Sequence, residues 1–161
     1  MKSVFQLVML LALTAGLAGC GGKDLTYSGP VYPPSANITK VFQPAQVPRS
    51  CRVFAEVVAL MPANLTGREV ETAILAEAGK RGAEMVLFGQ SRQGKDSKTQ
   101  FLYFGPQREY PFTEFWSGWK FGYSLWKEQG DWLNIGYNEL GSDSVRYDVP
   151  LAMQLAMLRC H

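Results

Sequence analysis

The sequence predicts an α+β domain, one mainly antiparallel sheet with a single main helix packed on one face. Three observations predict it. Residues 51–60 (CRVFAEVVAL) are rich in β-branched and aromatic side chains, as a strand buried on much of both faces requires. Thr66 followed three residues later by Glu69 forms a capping box, and Val70, Ala73, Ile74 and Ala78 then recur at helical spacing until Gly82. Residues 83–90 (AEMVLFGQ), 98–104 (KTQFLYF) and 151–160 (LAMQLAMLRC) add apolar runs of strand length.

Ahead of this unit, Lys2 supplies a short positive start, and residues 4–16 form an apolar stretch interrupted only by Gln6 and Thr14. That stretch is shorter than the roughly 20 residues of a spanning helix, so residues 1–19 read as a cleaved export signal. It runs into Leu17-Ala18-Gly19-Cys20, which resembles the lipobox of bacterial lipoproteins. The resemblance implies that Cys20 receives a thioether-linked diacylglycerol, that the bond before it is cut, and that its new amine is acylated, palmitate being a common chain. Several acyl chains make a stable membrane anchor, whereas one is marginal. Gly21, rather than Asp, follows the cysteine; by the sorting rule of enteric bacteria this implies the outer membrane, facing the periplasm.

Residues 21–50 read as a tether that starts from the lipidated Cys20, with Pro30, Pro33, Pro34, Pro44 and Pro48 preceded by Gly21, Gly22 and Gly29. Proline fixes φ and removes backbone donors, so the segment should be extended and excluded from a sheet interior. As a free spacer of about 3.1 Å per residue it would reach on the order of 90 Å from the membrane. As a packed segment, Val31, Tyr32, Ile38, Val41 and Phe42 would lie along the domain. Composition leaves both readings open.

Within residues 51–161, Lys80 and Arg81 complement the helix macrodipole and Gly82 suits a left-handed cap. The polar segment Gln93-Gly94-Lys95-Asp96-Ser97 suits the tip of a hairpin joining the runs on either side. Residues 131–138 and 144–148 are candidate short strands around a turn at residues 139–143. Residues 151–160 follow Pro150 as a strand, although LAMQLAML also satisfies a helical period.

Removing 19 residues from 161 leaves 142, enough for one domain and its tether. Hydrophobic residues make up 47% and charged residues 19%, a globular composition. The formal charge is +2, and about +1 once Lys2 leaves with the signal, so nothing predicts an electrostatic footprint on nucleic acid or on anionic lipid. Besides Cys20, the cysteines are Cys51 and Cys160, one at each edge of the folded unit. An even count in an exported protein predicts a disulfide between them, which would set the first and last strands side by side. His161 is the only histidine and there is no CxxC, so neither a metal nor a cofactor is predicted.

The order of a cysteine-led strand, a helix ending in LAEAGKRGAEMVLFG and a terminal LRC resembles the RcsF-like group of small outer-membrane lipoproteins. Ala76, Ala78, Gly82, Ala83 and Val86 sit where that pattern places them, and Cys160 matches its closing cysteine. Glu84 stands where the group usually has Asn. The resemblance spans residues 51–92 and the last eight, and implies a sensory or envelope-associated lipoprotein without enzymatic activity.

Residues 101–150 hold 14 of the chain's 20 aromatics, including Trp116, Trp119, Trp126 and Trp132. These rings either fill a core whose other half is short of large side chains or form a contact face. Tyr110, Phe112, Phe115, Trp116 and Trp119 are the candidate contact residues, because PFTEFWSGW holds too many rings for one buried face of a short element. Catalysis would need a positioned base, nucleophile or metal. Glu109 and Glu114 could form a glycosidase-like carboxylate pair but read more simply as surface acids, so no catalytic residue is assigned. The expectation is a membrane-anchored envelope lipoprotein with a structural, sensory or protein-interaction role. Its alternative is a peptidoglycan-binding module that uses exposed aromatics.

Overall fold

The computed structural model describes residues 26–95 and 98–161. The export signal, the lipobox with Cys20, residues 21–25 and the Asp96-Ser97 tip lie outside the described residues. The elements follow the order β1 (Thr39–Val41), a 3-10 turn (Pro44–Gln46), β2 (Cys51–Met61), β3 (Leu65–Thr66), α1 (Gly67–Lys80), β4 (Met85–Gln93), β5 (Gln100–Gly105), β6 (Tyr110–Pro111), α2 (Phe112–Phe115), α3 (Tyr123–Trp126), β7 (Trp132–Leu133), β8 (Arg146–Tyr147) and β9 (Leu151–Cys160). The class is the expected α+β, with one large, mainly antiparallel sheet and one main helix.

The sheet is ordered β1-β4-β9-β2-β5, with β6 also paired to β2 and β7 to β4. β2, α1 and β4 form a split β-α-β unit, and β9 fills the gap antiparallel to both strands. This explains why β2 and β9 are apolar without alternation: each is a central strand covered on both faces. Cys51 lies opposite Cys160 in the β2–β9 register and the two form a disulfide, as the cysteine count predicts.

α1 begins on the expected capping box. The Thr66 hydroxyl accepts from the Glu69 amide at 3.2 Å, and the Glu69 carboxylate accepts from the Thr66 amide at 2.7 Å. Its buried side chains Val70, Ile74 and Ala78 pack with Phe54, Val57, Met61, Val86, Met153, Leu155 and Met157 on one face of the sheet. Gly82 takes the left-handed conformation at φ 82°, and a Cβ there would lie 2.5 Å from the Pro33 carbonyl oxygen.

The structure corrects three expectations about connection and strand length. Residues 93–97 do not tip a hairpin between neighbouring strands, because β9 and β2 lie between β4 and β5. Turn composition signals that the chain reverses, not which strand it then joins. The strands expected over residues 131–138 and 144–148 shrink to the two-residue β7 and β8. Those do not pair with each other; β7 pairs with β4 and β8 with β3.

For the Pro-rich segment, the described part takes the packed reading. Tyr27 meets Tyr103 of β5 ring to ring at 5.1 Å, and Tyr32 meets Phe54 of β2 at the same distance. The Ser35 amide donates to the Gly79 carbonyl at the end of α1, and Thr39–Val41 then pairs in parallel with β4. The segment is a strap that crosses one end of the sheet beneath the C-terminus of α1, from the β5 edge to the β4 edge.

Candidate functional site

The second face of the sheet needs its own cover, because β2, β4, β5 and β9 point apolar side chains both ways. That face presents Val53, Val58, Leu60, Met85, Leu87, Leu102, Ala152, Ala156 and Leu158 in two adjoining clusters. The aromatic segment covers it: Phe112, Trp116 and Trp119 pack on one cluster, and Phe121, Leu125 and Trp126 on the other.

The cover is a chain of ring contacts. Phe112 stacks on Trp116 at 5.1 Å, Trp116 meets Trp119 edge-on at 5.0 Å, and Trp119 meets Phe121 at 6.0 Å. Two sheet residues fix its position. Gly89 of β4 leaves a hollow for Trp119, where a Cβ would lie 2.5 Å from a ring carbon. Gln154, fully buried in the middle of β9, donates from Nε2 to the Phe121 carbonyl at 3.1 Å and the Trp119 carbonyl at 3.3 Å. A buried amide of this kind stabilises the loop only in the position where its donors are satisfied.

The five candidate contact residues therefore divide. Phe112, 4% exposed, belongs to the core, and Phe115, 63% exposed, points away from it. Trp116 and Trp119 are half-buried and pack against the sheet cluster. Tyr110 is half-buried and donates to the Glu56 carboxylate at 2.8 Å. Burial holds the Glu56 carboxyl above its ordinary range, with the Tyr110 hydrogen bond acting against that shift. Sequence reasoning missed three further exposed rings, Tyr123, Trp132 and Tyr137. Arg92 lies over the Trp132 ring at 5.0 Å, and Phe42 meets Tyr137 edge-on at 5.1 Å. Tyr123 lies on α3, Trp132 on β7 and Tyr137 in the connection between β7 and β8, and among the described residues no ring contact joins them to Phe115.

The two carboxylates among the aromatics are not a matched pair. Glu109 accepts from Arg52 Nε at 2.8 Å and from the Tyr32 hydroxyl. The Tyr32 hydrogen bond, followed by Arg52, holds its carboxyl below the ordinary range despite partial burial. Burial, with Glu109 beside it, pushes the Tyr32 hydroxyl up to about 12. Glu114 stands exposed on α2. Glu109 thus pins the strap to the sheet end, a structural role.

At that same end, Arg159 of β9 lies 4.6 Å over the Tyr32 ring, donates to the Gly82 carbonyl at 2.9 Å and pairs with Glu84 at 3.2 Å. Arg81 pairs with Glu77 at 2.8 Å and covers the Tyr27 ring at 4.6 Å. The tyrosines of the strap are therefore clamped by cations whose charge is already matched. Among the described residues, no His, Cys, Asp and Glu cluster could hold a metal ion, and no helix is long and apolar enough to cross a membrane.

The chain matches no family model, no curated protein and no solved structure.

Proposed function

We propose that this chain is a lipid-anchored protein of the bacterial envelope, held to a membrane through Cys20 and acting by contact, in a structural or sensory role, rather than by catalysis. The observation that carries the reading is the disulfide between Cys51 and Cys160, which joins β2 to β9. Such bonds form and persist in oxidising compartments, which is where a lipobox at Leu17 to Cys20 would deliver the domain. The outer membrane is the proposed location, from Gly21 after the anchor. Supporting the contact role, Phe115 projects from a rigid cover whose neighbouring rings are fixed on the sheet, an arrangement that presents an apolar anchor at little entropic cost.

Expression of the wild-type chain and Cys20→Ala in a bacterial host with labelled palmitate tests the reading. The wild type should take up label and sediment with the membrane fraction, and the variant should do neither. Equal membrane retention of both chains would overturn the anchoring.

A further inference from the structure

We propose that the end of the domain crossed by the strap docks on the headgroup surface of the membrane that anchors it, with Val31 in the interface and Lys80, Arg49 and Arg108 against anionic lipid phosphates. This rests on the anchoring reading above.

Length is the first argument. Only six residues separate Cys20 from Tyr27, where the chain is already packed on Tyr103 and Arg81. At no more than about 3.6 Å per residue, that connection reaches about 25 Å. A domain of this length has a radius of gyration of about 14 Å, hence a diameter of about 35 Å. The leash is shorter than the domain is wide, so the end where it enters is the end the bilayer meets. The 90 Å reach expected of a free spacer does not apply once the strap packs.

Surface chemistry is the second. Val31 is 92% exposed, more than any other large apolar side chain described, and it is flanked by Pro30, Pro33 and Pro34. It stands beside Tyr32 and Pro33, which close over Gly82 at the α1–β4 turn. Around it, the acids Glu77, Glu84 and Glu109 are each bound to an arginine. Lys80, Arg49 and Arg108 are exposed and have no acidic partner among the described residues. Lys80 ends α1, Arg49 precedes β2 at the disulfide, and Arg108 adjoins Glu109, which accepts from Tyr32. The small net charge of the whole chain hides this local excess, because pairing removes the acids and leaves the cations.

Few and weak contacts suffice for such a surface. Tethering makes docking intramolecular, with an effective concentration in the millimolar range for a short linker, so no independent affinity for lipid is needed.

The test uses the protein purified from membranes and reconstituted in vesicles of phosphatidylethanolamine and phosphatidylglycerol, with an environment-sensitive fluorophore on V31C or, at the opposite end, N138C. Sedimentation with the vesicles reports anchoring, and quenching by brominated acyl chains reports docking. Docking predicts co-sedimentation of both, with quenching several-fold stronger at residue 31 than at residue 138. Reversing Lys80 to Glu should lower the docked-to-free ratio at least about fivefold, from ~1 kcal/mol for each basic residue near an anionic surface. Co-sedimentation with equal or no quenching at the two positions overturns docking and leaves the anchor standing. Protein that stays in the supernatant overturns the anchor, and docking with it.

Discussion

Phe112 and Phe115 lie one helical turn apart on α2, and the structure assigns them opposite roles, which makes their alanine variants a sharp test of the aromatic cover. Phe112 fills the cluster formed by Val53, Leu87 and Leu158 and stacks on Trp116. Its truncation removes a fully buried ring and leaves a cavity under a segment pinned by Gln154, so Phe112→Ala should cost about 3–5 kcal/mol. Phe115 projects to solvent, so Phe115→Ala should change stability by no more than about 0.5 kcal/mol. With a urea m-value of about 2 kcal/mol/M, the unfolding midpoint should fall by about 2 M for Phe112→Ala and by less than about 0.3 M for Phe115→Ala. Equal losses, or a loss below about 1 kcal/mol for Phe112→Ala, would refute the assignment of the segment as the second layer of the core.

The Cys51–Cys160 bond closes a sequence separation of 109 residues, so its reduction should lower stability by up to about 4.7 kcal/mol on the chain-entropy account; an unchanged urea midpoint in reductant would contradict a formed bond. The Glu56 carboxyl is held above its ordinary range by burial, so the folded state binds its proton more tightly than the unfolded chain does. Wild-type stability attributable to Glu56 is then fully present below the unfolded value and falls as pH rises through the window up to the raised folded value. Glu56→Gln should therefore gain on the wild type as pH rises above the ordinary carboxylate value of about 4, and a difference independent of pH would count against the buried carboxylate.

Much of the fold is legible in the sequence because its signals are contiguous. The capping box and the spacing of Val70, Ile74 and Ala78 define α1, and the unbroken apolar runs of β2 and β9 mark central strands. Those runs also hold the signal for the second layer: strands apolar on both faces need two covers, and only one helix is available. The aromatic density of residues 101–150 supplies the other, although the pattern does not tell Phe112 from Phe115, since α2 is a single turn. β1 is hidden in the Pro-rich segment, yet residues 35–43 (SANITKVFQ) contain no proline, and that gap is where the strap pairs with β4. Strand order is not local information: nothing in residues 93–97 reveals that β9, some fifty residues later, inserts beside β4.

The most direct test of the proposed function is the intact mass of the protein extracted from membranes. The account predicts a chain that starts at Cys20, carries a diacylglyceryl group and an amide-linked acyl chain, and lacks two hydrogens for the Cys51–Cys160 bond. A mass that matches the unmodified chain from Met1, or a chain cut elsewhere with Cys20 free of lipid, would contradict it.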